Sequence, residues 1–299
     1  MLNGILVVDK PTGMSSASVV EHVKKRLRAK RCGHGGTLDP FATGVLAICV
    51  GEGTKIAQYL LADDKAYRAE LVLGRETDTL DRTGIVTAER DASHITREMI
   101  EAALAGRRGE QDQVPPMYSA LKRDGVRLYK QARQGIEVER EPRRVRIDRL
   151  ELVAYEGTRV TLEIACSKGT YVRSLADDLG RDLGCGAYLS ELRRNQSGMF
   201  SIDQAVQLDS VDFFHSRQHL LSIEAVLKLP AVNAPAALVP FIRSGLQLKL
   251  DQLVNVPAEP EQFQLLDDAQ KLVAISHAEG GKILYDRVFG GRLLLDPEP

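Results

Sequence analysis

Tryptophan is absent from the 299 residues, aromatic side chains are few, and only four are cysteine. Cys32, Cys49, Cys166 and Cys185 stand far apart with no C-x-x-C pair, so neither a zinc site nor a disulfide framework is expected, and no metal is called for. No uninterrupted run of about 20 apolar residues is present, which argues against a membrane-spanning helix. The opening MLNGILVVDKP has no basic segment before its short apolar run and meets Asp9 and Lys10 at once, unlike a secretory leader; a cytoplasmic protein is expected. A phosphate-cradling loop is also missing, because neither Gly33 to Asp39 nor Gly51 to Lys55 fits G-x-x-x-x-G-K-[ST].

Charge of one sign is lacking overall, since the net charge is -1, but it is unevenly spread. KKRLRAKR (24 to 31) holds six basic residues in eight, and REPRRVRIDR (140 to 149) is similarly dense. Either run alone suits a solvated face as well as it suits a ligand, yet local clusters attract a polyanion whatever the total. The last 67 residues carry 6 basic and 9 acidic side chains, so the positive excess lies before them.

A chain of this length suits one large domain and one small one. ILVV (5 to 8) reads as a buried strand ended by the turn Lys10 to Gly13. Ser18 to Glu21 has capping-box spacing, and Val19, Val20, Val23 and Leu27 recur at helical spacing. The Gly-rich loop then leads into strand VLAICV (45 to 50), followed by an expected helix at 54 to 63, a strand at 67 to 73 and a turn at 74 to 84. A helix is expected at 96 to 105, capped by Thr96. Further on come a hairpin turned at 123 to 125, two antiparallel strands around Glu156 and Gly157, and a strand, turn and helix from 166 to 184. The proline-rich stretch 230 to 240 reads as a linker before short strands broken by glycines. The expected fold is α+β with a mixed, mainly antiparallel sheet over 1 to 232 and a small all-β domain over 233 to 299.

One acid, Asp39, sits in GHGGTLDPFATGVL (33 to 46) between three glycines and Pro40. By itself it could cap a turn. Arg173 could equally be a surface helix residue, Tyr67 an ordinary strand aromatic, and His34 a turn residue.

Taken in order, KPTGMSS (10 to 16), GHGGTLDPFATGVL, KAYRAELVLGRETDTLDRTG (65 to 84), VPPMYSALK (114 to 122) and CSKGTYVRSLADDLG (166 to 180) resemble the motifs of bacterial tRNA pseudouridine-55 synthases. The tail resembles a PUA domain, a small RNA-binding β-barrel. The resemblance implies isomerisation of uridine 55 in the T loop of tRNA, with no cofactor and with the T-arm stem-loop as the partner of a monomer. It implies that Asp39 is nucleophile or base and that Arg173 pairs with it. Tyr67 would stack on the base and take part in proton transfer at carbon 5. Tyr171 and Leu192 would line the base pocket, His34 would fill the gap left by the flipped uridine, and Lys10 would support the loop beside the substrate. A non-catalytic RNA-binding protein is the rival from another class. A glycosidase would want a second carboxylate, and none stands out.

Overall fold

The structure, a computed structural model, describes residues 2–119, 122–123, 126–127, 131–132, 138–258 and 261–290. Apolar alternation and turn glycines build it in chain order. Strand β1 (Gly4–Lys10) leads to helix α1 (Ser16–Arg26), strands β2 (Cys32–His34) and β3 (Thr43–Val50), and the short helix α2 (Ala57–Leu61). Strand β4 (Lys65–Leu73) is followed by β5 (Arg75–Thr77), β6 (Val86–Glu89), α3 (Arg97–Gly106) and β7 (Gly109–Gln113). Next come β8 (Lys122–Arg123), β9 (Val126–Arg127), β10 (Arg143–Glu156), β11 (Arg159–Cys166), α4 (Val172–Asp182), β12 (Ala187–Ser197), β13 (Phe200–Ser201) and β14 (Val206–Gln207). The last part holds α5 (Ile223–Val226), β15 (Ala231–Asn233), α6 (Val239–Arg243), β16 (Leu248–Lys249), β17 (Gln262–Leu266), β18 (Leu272–Glu279) and β19 (Lys282–Val288).

The main sheet runs β14-β1-β3-β12-β4-β11-β10-β7, with β2 beside β3 and β13 beside β12. Only β1 with β14 and β12 with β3 pair in parallel, so the sheet is mixed and mainly antiparallel, as expected. A second sheet, β15-β17-β18-β19-β16, forms the β-rich tail and is consistent with a PUA-like domain. No described helix is long and apolar enough to cross a membrane. His215 and His219 stand four residues apart, but among the described residues no three potential ligands gather into a metal group.

Strand β3 packs on both faces. Leu46, Ile48 and Val50 join Val19, Val20, Val23 and Leu27 of the α1 segment, the stripe its spacing predicts. Val45, Ala47 and Cys49 join a different cluster with Ile5, Val7, Leu60, Leu266, Leu272, Ile275 and Phe289, which takes in the tail.

Several local expectations need correction. The N-cap of α1 is Ser15, whose hydroxyl accepts from Ser18 N at 3.0 Å, so Ser18 lies inside the first turn. The expected helix at 54 to 63 is a 3-10 segment, Gly51–Ile56, running into α2, because Gly51 takes a left-handed φ of 58° and Thr54 Oγ1 donates to its carbonyl. The stretch 74 to 84 is more than a turn. It contains β5, which pairs with β6, and the carboxylates of Asp78 and Asp81 accept from backbone N–H groups inside the connection. The expected linker contains β15, which pairs in parallel with β17, and Pro240 sits in the first turn of α6, where a missing N–H is harmless. Strands β8 and β9 pair antiparallel, whereas Asp124 and Gly125, the expected turn, lie outside the described residues.

Candidate active site

The loop between β2 and β3 carries Asp39, and the turn after β1 holds it in place. Lys10 is fully buried and donates through Nζ to the carbonyls of Met14 (2.7 Å), Pro11 (2.9 Å) and Pro40 (3.2 Å). Thr12 Oγ1 donates to Phe41 O, and Gly13 N donates to Pro40 O. Ser16 clamps Leu38 from both sides, accepting from its N–H at 2.8 Å and donating to its carbonyl at 3.0 Å. The KPTGMSS stretch is thus a brace for residues 38 to 41, and Lys10 acts in that brace. Behind the loop, Gly35 has no room for a side chain, since a Cβ there would lie 2.7 Å from that of Leu60 on α2.

Arg173, in the first turn of α4, grips Asp39 in a two-toothed ion pair, Nε to Oδ2 at 2.9 Å and Nη2 to Oδ1 at 3.1 Å. The planar fork fixes the carboxylate's orientation, which a point charge would not do. The Arg173 side chain is only 4 % exposed and Asp39's 31 %, so the acid faces outward from a buried partner. Further donors of Arg173 go to Thr79 O and Tyr118 O, and Asp81 lies 3.7 Å from Nη1. Asp81 is itself held by Thr79 Oγ1, Thr83 N and Thr83 Oγ1. Burial pushes the Asp39 carboxyl above its ordinary value and the Asp81 charge adds to that, while Arg173 and Lys10 pull it down.

A cavity of about 310 Å³ opens over this pair, lined by Asp39, Tyr67, Tyr171, Arg173, Leu192 and Arg194 among others. Five of the residues singled out from sequence therefore meet in one place. Tyr67 of β4 and Arg194 of β12 face each other across the antiparallel ladder, and Leu192 pairs with Ala69. Burial raises the Tyr67 phenol, and the charge of Arg194 draws it back. Tyr171 is the N-cap of α4; its backbone is held on both sides by the Gln113 amide, which accepts from Tyr171 N at 2.8 Å and donates to Tyr171 O at 3.1 Å. His34 lies apart from the lining, half-buried on β2 and paired in register with Ile48.

Sequence reasoning passed over Asp81, Arg194, Gln113 and Ser16. Asp81 is the second acid that seemed absent, but it sits behind Arg173 and outside the cavity lining, so it does not make the flanking carboxylate pair of a glycosidase. Arg194 is buried (2 % exposed) and donates to Val45 O (2.8 Å), Gly36 O (3.2 Å) and Thr37 O (3.4 Å). Its backbone presses so closely on β3 that a Cβ at Gly44 would lie 2.2 Å from Arg194 O, which with a φ of 102° makes glycine necessary there.

The two basic runs differ. In the second, Arg144 pairs with Glu110 and Asp112, Arg146 with Asp148 and Asp64, and Arg149 with Glu163. In the first, Lys25, Arg26, Arg28, Lys30 and Arg31 are exposed and make no ion pair among the described residues. The cations left without an acid are therefore concentrated in the first run, although Arg143 in the second is exposed and makes no ion pair among the described residues.

The sequence model described as "TruB family pseudouridylate synthase (N terminal domain)" matches residues 24–172, and that of the "tRNA pseudouridylate synthase B C-terminal domain" matches 173–228. The chain is 44% identical over 269 residues to a tRNA pseudouridine synthase B of Syntrophotalea carbinolica, covering 89% of this chain and 88% of that protein. It is 48% identical over 237 residues to the Bordetella avium protein of that name, covering 79% and 96%. Among solved structures, one of a Cbf5-Nop10-Gar1 complex matches with a TM-score of 0.73 and 27% identity over 97% of this chain and 85% of that one. A structure of an H/ACA RNP bound to a substrate RNA containing 2'-deoxyuridine matches with a TM-score of 0.71 and 25% identity over 96% and 84%. With the braced Asp39 loop inside the matched span, the chain belongs to the TruB family of tRNA pseudouridine synthases, isomerases that act on uridine in tRNA.

Proposed function

We propose that the enzyme converts uridine 55 in the T loop of tRNA to pseudouridine, with the target base flipped into the cavity above Asp39. The observation that carries this reading is the two-toothed Asp39–Arg173 pair at the floor of a cavity walled by Tyr67, Tyr171 and Leu192. A stacked base hides the atoms that must react, and an aromatic and apolar pocket offsets part of the unstacking cost. Asp39 attacks the anomeric carbon or removes the proton beside it; both routes need an ionised, oriented carboxylate and release the base from the sugar. Carbon 5 of the rotated base then bonds to the sugar, and the carbon 5 proton departs as the ring nitrogen gains one. Tyr67 stacks on the base, and His34, at the loop's start, fills the space the base vacates. The catalytic unit spans residues 1 to 232, and residues 233 to 299 form an RNA-binding unit. The enzyme works in the cytoplasm as a monomer without a cofactor.

Incubating the purified protein with unmodified tRNA and mapping pseudouridine tests this. Product at position 55 is expected from the native chain and less than about one per cent of it from Asp39→Asn, with RNA affinity within about tenfold. Turnover by the amide variant, or product confined to other positions, would overturn the reading.

A further inference from the structure

We infer that Arg194 is a positioning residue whose charge, fixed beside Tyr67 in the cavity wall, stabilises the uracil anion formed when the bond from sugar to base breaks. This rests on the proposed reading of the cavity as the uracil site. Three cations lie buried around it, Lys10 (0%), Arg173 (3%) and Arg194 (2%). Both nearby carboxylates, Asp39 and Asp81, are ion-paired to Arg173. Lys10 and Arg194 make no ion pair among the described residues; their protons go to backbone carbonyls. Against the two carboxylates the three buried cations leave one positive charge in excess, and Lys65, which also lines the cavity, adds to it; such charge is costly unless something negative arrives.

The reaction supplies it. When C1′–N1 breaks, the electron pair stays on the base and spreads over N1, O2 and O4, while C1′ bonds to Asp39 or its neighbouring carbon surrenders a proton to it. Fixed donors aimed at developing charge stabilise it without reorganisation. Arg194 lies in this wall: it lines the cavity beside Tyr67, its cross-strand partner, and its charge pulls the Tyr67 phenol down against burial. The carbonyls of Gly36, Thr37 and Val45 fix its plane. The same bonds tie the charge to the loop that ends in Asp39, so attacking acid and leaving base share one rigid reference.

The test uses two stem-loop RNAs carrying uridine or 5-fluorouridine at the target, and reads C1′–N1 cleavage in single turnover. Fluorine makes the departing base a weaker base, less in need of outside charge. Arg194→Met should slow uridine cleavage by roughly 100-fold and 5-fluorouridine cleavage by under about tenfold, with RNA affinity within about threefold. Tyr67→Phe, which removes only the hydroxyl, should show the same preference and carries the test if the methionine variant does not fold. Equal losses on both RNAs would overturn the inference and leave Arg194 a scaffold residue. Failure of the underlying reading looks different: Asp39→Asn would then cleave either RNA.

Discussion

In the proposed reaction Asp39 acts as a carboxylate, yet burial raises its pKa and Asp81 pushes the same way against the pull of Arg173 and Lys10. The acid limb of the single-turnover rate should therefore lie above the ordinary carboxylate range, activity falling as pH drops through the raised value. A limb at or below the value of a free aspartate would contradict this. Lys10 sets the other side. Burial lowers its pKa from 10.5 to about 8, the field of Arg194 adding to this and Asp39 opposing it, so the charge holding Pro40 O is lost as pH rises through that value. An alkaline limb near pH 8 is expected in the native enzyme and should vanish in Lys10→Met, slower but flat over that range. For stability the sign is opposite: a depressed lysine favours the unfolded chain below about 8, and the penalty fades as pH climbs toward 10.5. Arg173→Lys keeps charge but loses the fork, leaving Thr79 O and Tyr118 O without their donors. Turnover should fall by at least about 30-fold with RNA affinity within about threefold, measured by single-turnover kinetics and filter binding.

At the scale of elements, α1 and the residues just after it link the Asp39 loop to the unpaired cations, since its first residue, Ser16, clamps that loop while its far end and the following residues carry Lys25, Arg26, Arg28, Lys30 and Arg31. Replacing Lys25, Lys30 and Arg31 together by alanine should lower the slope of log affinity against log salt by about 2 to 3, one for each phosphate left without its cation. The same change at Arg144 and Arg146, whose charges are already met by Glu110, Asp112, Asp148 and Asp64, should move it by less than about 1. Matching slopes would show that ion pairing does not sort the two runs. Run length alone could not distinguish them, because the acids that neutralise Arg144 come from β7, a neighbour only in the folded sheet. Much of the rest was legible: α1's apolar spacing, the long hairpin of β10 and β11, and Thr96 as cap all follow from local pattern. Of the site, Asp39, Tyr67, Arg173, Tyr171 and Leu192 were recognisable as a group through family motifs. Arg194 and Asp81 were not, because an arginine on a strand reads as exposed and an acid among Gly, Thr and Asp reads as a turn. The carbonyls that hold Arg194, and Arg173, the ion partner of Asp81, are distant in the chain.

The whole molecule has a join that composition concealed. The acidic balance and proline-rich approach of the tail suggested a detachable module, yet Leu266, Leu272, Ile275 and Phe289 share a core with Ile5, Val7, Ile56 and Leu60. Lys55 Nζ donates to Val288 O at 2.6 Å and lies 5.1 Å from the Phe289 ring, and Glu224 accepts from Leu272 N. Each large apolar side chain left uncovered costs about 1.5–3 kcal/mol. A chain ending at residue 232 should melt at least about 10 °C below the full protein, read by calorimetry. A melting point within about 3 °C of the full chain would mean that this core adds nothing.

Strand β3 has one further consequence, for synthesis. Its Leu46 face can be covered by α1 as soon as the first strands leave the ribosome, but its Val45 face, and with it Leu60 behind Gly35, is completed by β17, β18 and the residue after β19. The loop bearing Asp39 thus gets its full backing only once β17, β18 and Phe289 have been made, and a chain stalled before them would carry that loop unsupported.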